Sequence, residues 1–297
     1  MSEAGLGAMW DDSELAETPE YTDHIALISC VHGNLAALEA VLADIAEAGV
    51  PSLICLGDLV GYGPHPNQVI ERLRDLDVVV VRGCWDEGIA NDQGHCGCEF
   101  ASSEDAELGE LTYTWTELEV NEESRAYLKG LPFLLARRTA AGVIAFVHGS
   151  TASTAEYLSE ETHDLVLLER ASRVDCEFLA CGHTHVPFAR RIHGVLEAEH
   201  SPVLETGATE LRTSRTLLRA KTLINCGSVG EPRHGGPEAT YVVLNQATGG
   251  VAIRKVPYDV DATVKALDRA GLPPSFGERL LKGTELVNKR KDILCSC

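Results

Sequence analysis

Apolar runs alternate with helix-period segments along the first part of the chain. His24–Ile28 is a short apolar run, typical of a strand that is buried in a parallel sheet. The next segment repeats apolar residues at helical spacing, and Asn34 and Gly49 stand where a helix would be capped and ended. The apolar positions of this predicted helix are Leu35, Leu38, Leu42 and Ile45.

The same alternation continues beyond this helix. Strand patterns at 52–56 and 78–81 flank a helix pattern at 67–76, so the order β-α-β-α-β predicts a layered α/β fold. Residues 102–130 predict two helices, and residues 259–282 predict one or two closing helices. Because the later strands follow one another closely, they predict a second, mostly antiparallel or mixed sheet. These strands lie near 133–138, 143–147, 176–181, 187–192, 222–225, 239–244 and 250–256.

The chain shows one domain with short flanking segments. Residues 1–23 hold seven acidic residues and no Lys or Arg, which predicts an acidic leader without a fixed structure. Residues 24–285 contain no linker that would divide them into two domains. Within this range, residues 194–221 show neither helical nor strand periodicity and are interpreted as an inserted hairpin or flexible excursion. Residues 286–297 are interpreted as a C-terminal tail.

Charge restricts the partners of this protein. The chain has 45 acidic and 25 basic residues, a net charge of −20. Such a field repels phosphate backbones, so nucleic acid is disfavoured, and a small phosphorylated substrate would need a local positive centre such as a metal cluster. No stretch approaches the ~20 apolar residues of a membrane span, and no signal peptide is evident. We expect a cytoplasmic protein without a membrane partner, with reduced thiols among its ten cysteines.

Ligand-capable side chains follow the ends of most predicted strands. In open α/β sheets, ligands bind at the carboxyl ends of the strands. Four histidines and one aspartate at such an edge are hard to explain by packing, and imidazole with carboxylate suits zinc, iron or manganese. An aspartate that is shared by two ions would create a site that clamps a phosphoryl group and activates water. The five residues are His32, Asp58, His148, His183 and His185.

The order of the motifs resembles that of the calcineurin-like metallophosphoesterases. The segments that carry the resemblance are His32-Gly33-Asn34, Gly57-Asp58, Val81-Arg82-Gly83-x-x-Asp86, Val147-His148-Gly149 and Gly182-His183-Thr184-His185. Gly61-Tyr62-Gly63-Pro64 and Asn225-x-Gly227-Ser228-Val229-Gly230 are similar to a small bacterial and archaeal branch of that family. The resemblance covers about residues 24–285. It implies a four-layer αββα sandwich of two mixed β-sheets flanked by helices.

The resemblance also implies a role for each position. It places one divalent ion on Cys30, His32, Asp58 and His185, and a second on Asp58, Cys84, His148 and His183. Asp58 would bridge the ions, and a bridging hydroxide would attack the phosphorus of a small phosphomonoester or phosphodiester. The positions counted as catalytic are Asp58, Trp85, Asp86 and His148.

Two residues are candidate phosphate contacts. Arg233 follows the Gly-Ser-Val-Gly turn, and its guanidinium is well suited to phosphate, although a surface salt bridge is an equal alternative. Asn34 could contact phosphate as well as cap its helix.

Three positions depart from the family pattern. The family has Asp-x-His where this chain has Cys30-Val31-His32, and Gly-Asn-His-Asp or Glu where it has Gly83-Cys84-Trp85-Asp86. Two ligand positions have therefore become cysteine, and the usual acid/base histidine has become Trp85.

Three interpretations of these departures remain open. Thiolate ligands would make the site favour zinc or iron, with manganese as a lesser candidate. A decayed site would leave a non-catalytic protein that binds metal or phosphate. A disulfide between Cys30 and Cys84, which needs Cα atoms within about 7 Å, would make a redox-responsive phosphoesterase. Cys96-Gly97-Cys98 is either a metal-proximal or redox loop or a structural one, whereas Cys55, Cys176 and Cys181 are expected in the core.

Overall fold

The computed structural model describes residues 23–99, 102–200 and 212–284, with the side chains of 194–200 and 212–218 left aside. The predicted acidic leader, except for Asp23, and the predicted tail lie outside these ranges. The domain boundaries at 23/24 and 285/286 therefore stay predictions.

Within the described residues, two mixed sheets of five strands each form the centre of the domain. In spatial order the first sheet consists of β10 (Val251–Val256), β9 (Ala239–Asn245), β1 (His24–Ile28), β2 (Leu53–Cys55) and β3 (Val79–Val80). The second consists of β4 (Leu134–Thr139), β5 (Gly142–Val147), β6 (Phe178–Cys181), β8 (Arg212–Asn225) and β7 (Phe188–His200). β1, β2 and β3 are parallel to one another, as are β5, β6 and β8.

Alternate residues of β1 face two different cores. Ile25 and Leu27 belong to the apolar cluster between the sheets, together with Phe146 of the second sheet. Ala26 and Ile28 belong to the cluster that the helices cover. This alternation is what a strand with one face on each layer requires.

Helices cover the outer face of each sheet. The first sheet is covered by α1 (Leu35–Glu47), α2 (Pro66–Asp75), α3 (Cys84–Ala90), α4 (Ser103–Glu119), α5 (Glu122–Lys129), α7 (Val260–Arg269) and α8 (Pro274–Lys282), and the second by α6 (Asp164–Ser172). The predicted four-layer αββα sandwich is thus confirmed. The helices predicted at 102–130 and 259–282 are also present, and Asn34 Oδ1 caps α1 by accepting from Ala37 N at 3.2 Å.

One expectation about the sheets was wrong. β9 and β10 do not join the second sheet: β9 pairs antiparallel with β1, with Leu27 opposite Val242, and β10 extends that edge. The chain returns to the first sheet because Val242 and Leu244 supply apolar surface to the core between the sheets. The helices α3 and α6 were not predicted. The region 194–221 includes the outer parts of β7 and β8, which pair as a hairpin from Phe188 opposite Asn225 to His200 opposite Arg212.

None of the helices described here is long and apolar enough to cross a membrane. The cytoplasmic location stays a prediction.

Candidate metal centre

The ligand-capable residues lie on loops that leave the strands at one edge. Several of these residues adopt left-handed backbone, which is unfavourable for residues with a side chain and costs about 1 kcal/mol or more at each position. Such outliers persist only where the surroundings hold them, and they cluster at functional sites. The five with their φ angles are Cys30 (54°), His32 (47°), Asp58 (57°), His183 (65°) and His185 (60°).

Backbone contacts lock these loops together. Gly230 N donates to Cys30 O at 2.9 Å, and Val229 N donates to Ser29 O at 3.0 Å. A Cβ atom on Gly230 would lie 1.8 Å from the carbonyl oxygen of Val31. The loop after β8 therefore reaches the loop after β1 only because residue 230 has no side chain.

The substitution Gly230→Ala is expected to lower the free energy of unfolding by roughly 3 kcal/mol, because the backbone around Val31 must shift. Urea denaturation of the metal-free protein measures this change. Gly130→Ala is the matched control, since Gly130 has φ −80° and a Cβ atom there would meet only ordinary contacts. The control should stay within about 0.5 kcal/mol of the parent. Equal stability of the two variants would contradict this account of the loop contact.

Two groups of potential ligand atoms are buried side by side. The first, called the Cys84 cluster, consists of Asp58, Cys84, His148 and His183. The second, called the Cys30 cluster, consists of Cys30, His32 and His185. Within each cluster, the ligand atoms all lie within 4.8 Å of one another. The clusters bring together all seven residues that the sequence indicated as ligands.

Each of the four histidines is anchored by a backbone carbonyl. His32 Nδ1 lies 2.8 Å from Val60 O, and His148 Nδ1 lies 2.6 Å from Leu56 O. His185 Nδ1 lies 2.6 Å from Glu231 O, and His183 Nε2 lies 3.1 Å from Ala155 O. A carbonyl oxygen can only accept, so each of these ring nitrogens carries the proton. The opposite nitrogen of each neutral ring then presents a lone pair to the cluster, which is the orientation that metal-ligating histidines adopt.

These lone pairs face one another at short range. His32 Nε2 lies 3.1 Å from His185 Nε2 in the Cys30 cluster. His148 Nε2 lies 3.2 Å from His183 Nδ1 in the Cys84 cluster. Two facing lone pairs repel each other unless a cation lies between them. Each of these two histidine pairs is therefore stable only with a proton or a metal ion between its nitrogens.

The spacing in the Cys84 cluster fits a tetrahedral ion. Ordinary zinc bond lengths give edges of about 3.3 Å between two nitrogens and about 3.6 Å between sulfur and nitrogen. Cys84 Sγ lies 3.8 Å from His148 Nε2 and 3.6 Å from His183 Nδ1. Asp58 Oδ2 lies 3.1 Å from His148 Nε2 and 3.5 Å from Cys84 Sγ. The residues present therefore fit a metal ion with two nitrogen ligands, one sulfur and one oxygen.

Asp58 stands between the two clusters. Its Oδ2 also lies 3.6 Å from His32 Nε2, while its Oδ1 accepts from Trp85 N at 2.9 Å. Burial alone would raise the pKa of this carboxyl, but the charge and hydrogen bond of His148, with His32 behind them, hold the pKa below its usual range. Burial lowers the pKa of His148, yet Asp58 more than offsets this and raises it to about 10, so without a metal ion the His148 Nε2 carries a proton. One carboxylate thus supplies negative charge to both clusters.

The two cysteine thiols are deeply buried. Cys30 is 0% exposed, and its Sγ accepts from His183 N at 3.3 Å. Burial raises the pKa of Cys30 to about 12 and raises that of Cys84 as well. At neutral pH, a nearby divalent ion would be needed to keep either thiol predominantly deprotonated. Both cysteines are free in the structure, and the sulfur in contact with Cys84 is that of Cys98, at 3.2 Å.

Trp85 and Asp86 hold the loops around Asp58. The Trp85 side chain is 2% exposed and packs against Tyr62, with ring centroids 4.7 Å apart. Asp86 is fully buried, and its carboxylate accepts from Asp58 N at 2.8 Å, Leu59 N at 2.9 Å and Gly83 N at 2.9 Å. Trp85 therefore donates its backbone N–H to the Asp58 carboxylate, and the Asp86 carboxylate accepts from the backbone N–H of Asp58.

The two candidate phosphate contacts have protein partners. Asn34 Nδ2 donates to Gly230 O at 2.9 Å. Asn34 Oδ1 accepts from Thr263 Oγ1 at 3.0 Å and also from Ala37 N of α1. Arg233 Nη2 donates to Glu231 Oε2 at 2.8 Å. Its guanidinium lies beside the Cys30 cluster: burial is the main cause of the lowered pKa of His185, and the charge of Arg233 lowers that pKa further.

Several contributors were not evident from the sequence. Arg279 on α8 pairs with Glu231 at 2.9 Å, so that two guanidinium groups share this one buried carboxylate. The Tyr157 ring stacks on His183, with centroids 4.0 Å apart. Neither residue lies in a motif, and only the three-dimensional packing brings them to the site.

The αββα sandwich with histidines and an aspartate at the strand ends is the arrangement expected of a calcineurin-like phosphoesterase. The calcineurin-like phosphoesterase superfamily domain matches residues 24–249, and the chain belongs to that superfamily. It is 32% identical to the protein MJ0912 of Methanocaldococcus jannaschii over 261 residues, which cover 87% of this chain and 98% of that protein. A metallophosphoesterase from Sphaerobacter thermophilus has 29% identity and a TM-score of 0.64, over 88% of this chain and 99% of that chain.

A more distant relative is a phosphodiesterase. YfcE of Escherichia coli is 37% identical over 71 residues, which are 20% of this chain and 39% of that protein. The structure of PH1004 from Pyrococcus horikoshii, at 22% identity, has the same fold with a TM-score of 0.67, over 88% of this chain and 99% of that chain.

Proposed function

We propose that this protein is a metal-dependent phosphoesterase that hydrolyses a small phosphomonoester or phosphodiester. The observation that carries the proposal is the orientation of the four histidines, each with one ring nitrogen on a backbone carbonyl and the other aimed into a cluster. Two divalent ions in these clusters would bind the phosphoryl group and lower the pKa of an attacking water. Membership of the phosphoesterase superfamily supports the same conclusion.

The altered ligands define the preferred metal in this proposal. Cys84 would hold one ion with Asp58, His148 and His183, and Cys30 would hold the other with His32, His185 and the shared Asp58. Thiolates favour zinc or iron over manganese.

The remaining residues have positioning or binding roles in the same proposal. Asp86 and Trp85 position Asp58, because the carboxylate of one and the backbone N–H of the other bond to it. Asn34 positions the loops after β1 and β8, since both ends of its amide bond to protein groups. Arg233 is the side chain proposed to contact the phosphate, because its charge lies beside the Cys30 cluster.

One observation favours a second candidate, a protein that binds metal or phosphate without catalysis. Trp85 occupies the position where the family has an acid/base histidine, and its ring is buried against Tyr62. An indole cannot protonate a leaving group. General acid catalysis of this kind typically raises the rate by about 10²–10⁴-fold. This loss matters most for substrates with poor leaving groups.

Metal content and turnover separate the two candidates. Protein purified under reducing, anaerobic conditions and loaded with zinc or iron is expected to hold about two equivalents of metal. It should also hydrolyse bis(4-nitrophenyl) phosphate or 4-nitrophenyl phosphate. Metal binding without hydrolysis of either compound would favour the binding protein. No metal binding at all would contradict the phosphoesterase and leave only a protein that binds phosphate.

The ligand role of the thiols has its own test. The double variant Cys30→Asp, Cys84→Asn is expected to bind zinc at least about 10-fold more weakly relative to manganese than the parent does. Competition titrations with both metals measure this ratio. Cys176→Ala, a buried cysteine in the core beneath α6, is the matched control and should leave the ratio unchanged. An unaltered ratio in the double variant would exclude the thiols as ligands.

A further inference from the structure

A second thiol contacts the Cys84 cluster from outside. Cys98 lies 14 residues after Cys84, yet its Sγ is 3.2 Å from Cys84 Sγ. Gly97, with φ +74°, turns the segment after α3 back toward the cluster. The two sulfurs need to approach by only about 1.2 Å to reach the S–S bond length of about 2.05 Å.

Exposure distinguishes the thiols around the clusters. Cys30 and Cys84 are 0% and 1% exposed, and Cys96 is 7% exposed. Cys98 is only partly buried. A small oxidant that diffuses from solvent therefore meets Cys98 before it meets any of the other three.

We propose that Cys84 and Cys98 form an oxidisable dithiol, and that their disulfide withdraws Cys84 from the Cys84 cluster. The oxidant class is a hydroperoxide. The Cys98 thiolate attacks one peroxide oxygen, the O–O bond breaks, and hydroxide leaves, which gives a sulfenic acid. The Cys84 thiolate then attacks the Cys98 sulfur and displaces hydroxide. Two thiols and one hydrogen peroxide thus yield one disulfide and two waters.

The consequence for the cluster depends on the proposed function. A disulfide sulfur carries no negative charge and is a poor ligand, so oxidation would leave Asp58, His148 and His183 as the ligands of that ion. The disulfide itself forms whether or not the protein binds metal. A dithiol reductant would restore the Cys84 thiol.

Peptide mapping tests the disulfide directly. The metal-free full-length protein is treated with hydrogen peroxide, then digested without reduction by a protease that cleaves before aspartate. Cleavage before Asp86 and Asp92 separates Cys84 from Cys98, so a bond between them appears as a cross-linked peptide pair. The treatment runs for hours at mildly alkaline pH, because the thiolate and not the thiol is the attacking form.

The expected product is a Cys84–Cys98 cross-link that dithiothreitol removes. A cross-link from Cys30 to Cys84, a bond confined to Cys96 and Cys98, or the absence of any disulfide would overturn the proposal. Cys98→Ser should abolish the cross-link. The matched control Cys96→Ser should retain it, because Cys96 Sγ is not the partner of Cys84.

Zinc affinity tests the consequence. Oxidised parent protein is expected to bind zinc at least about 10-fold more weakly in a competition titration, whereas Cys98→Ser keeps its affinity after the same treatment. If the cross-link forms and zinc affinity does not change, Cys84 is not a ligand and the consequence is wrong. If reduced protein binds no zinc although the cross-link forms, the proposed function fails and the dithiol stands.

Discussion

Asp58→Asn is expected to lower phosphoesterase turnover by about 10³-fold or more and to reduce the bound metal. Asp58 belongs to the Cys84 cluster and also reaches the Cys30 cluster, since its Oδ2 lies 3.1 Å from His148 Nε2 and 3.6 Å from His32 Nε2. An amide nitrogen in place of that oxygen would donate a hydrogen bond to a histidine lone pair, and would oppose a cation at the same point.

The shape of the site is retained in this variant. Asparagine still offers an oxygen to Trp85 N, so the loops should keep their arrangement. Turnover of the zinc-loaded protein and elemental analysis are the measurements. Asp75→Asn, at an exposed aspartate on α2, is the control and should match the parent in both. Full activity of Asp58→Asn would rule out the shared-ligand arrangement.

The second large effect concerns stability. Asp86→Ala is expected to lower the free energy of unfolding of the metal-free protein by about 3–5 kcal/mol. The fully buried Asp86 carboxylate accepts from three backbone N–H groups, and a methyl group would leave all three without an acceptor. Urea denaturation, with the midpoint and slope fitted together, gives the change.

Two further variants calibrate this result. Asp86→Asn keeps one oxygen acceptor, so it should fall between the alanine variant and the parent. Asp75→Ala, at the surface, should stay within about 0.5 kcal/mol of the parent. An alanine variant as stable as the parent would show that these hydrogen bonds do not hold the loops, and would reopen a direct catalytic role for Asp86.

The histidines and the aspartate of the two clusters could be predicted to lie together because of where they stand in the chain. His32, Asp58, His148 and His183 each follow a strand, and the carboxyl ends of parallel strands share one edge. Position in the chain therefore indicated the four histidines and Asp58, whereas Cys30, Cys84 and the division into two clusters were implied by the family resemblance. The residue pattern predicted a layered α/β fold, and the resemblance to the calcineurin-like family implied the four-layer αββα sandwich.

Other features depend on contacts between segments that are distant in sequence. The proximity of Cys98 to Cys84 arises from the turn at Gly97, and no periodicity encodes the direction of such a turn. Arg279 reaches Glu231 because α8 packs over the first sheet, 48 residues further along the chain. β9 was assigned to the wrong sheet because an apolar strand carries no mark of its partner.

The carbonyl anchors of the histidines were equally hidden. Val60, Leu56, Glu231 and Ala155 contribute only a backbone oxygen, and any residue could supply one. The sequence thus indicated which side chains enter the two clusters, but not which groups orient them.

Five residues of the two clusters adopt left-handed backbone, and this fixes their conformation before any ion binds. The chain gives up the conformational freedom of these residues when it folds, so an arriving ion does not have to restrict them again. A flexible loop would lose conformational entropy when it bound an ion. Here that entropy has already been lost on folding, so the affinity for the ion is higher. The cost appears instead in the free energy of unfolding, which the strained loops lower as long as no ion is bound.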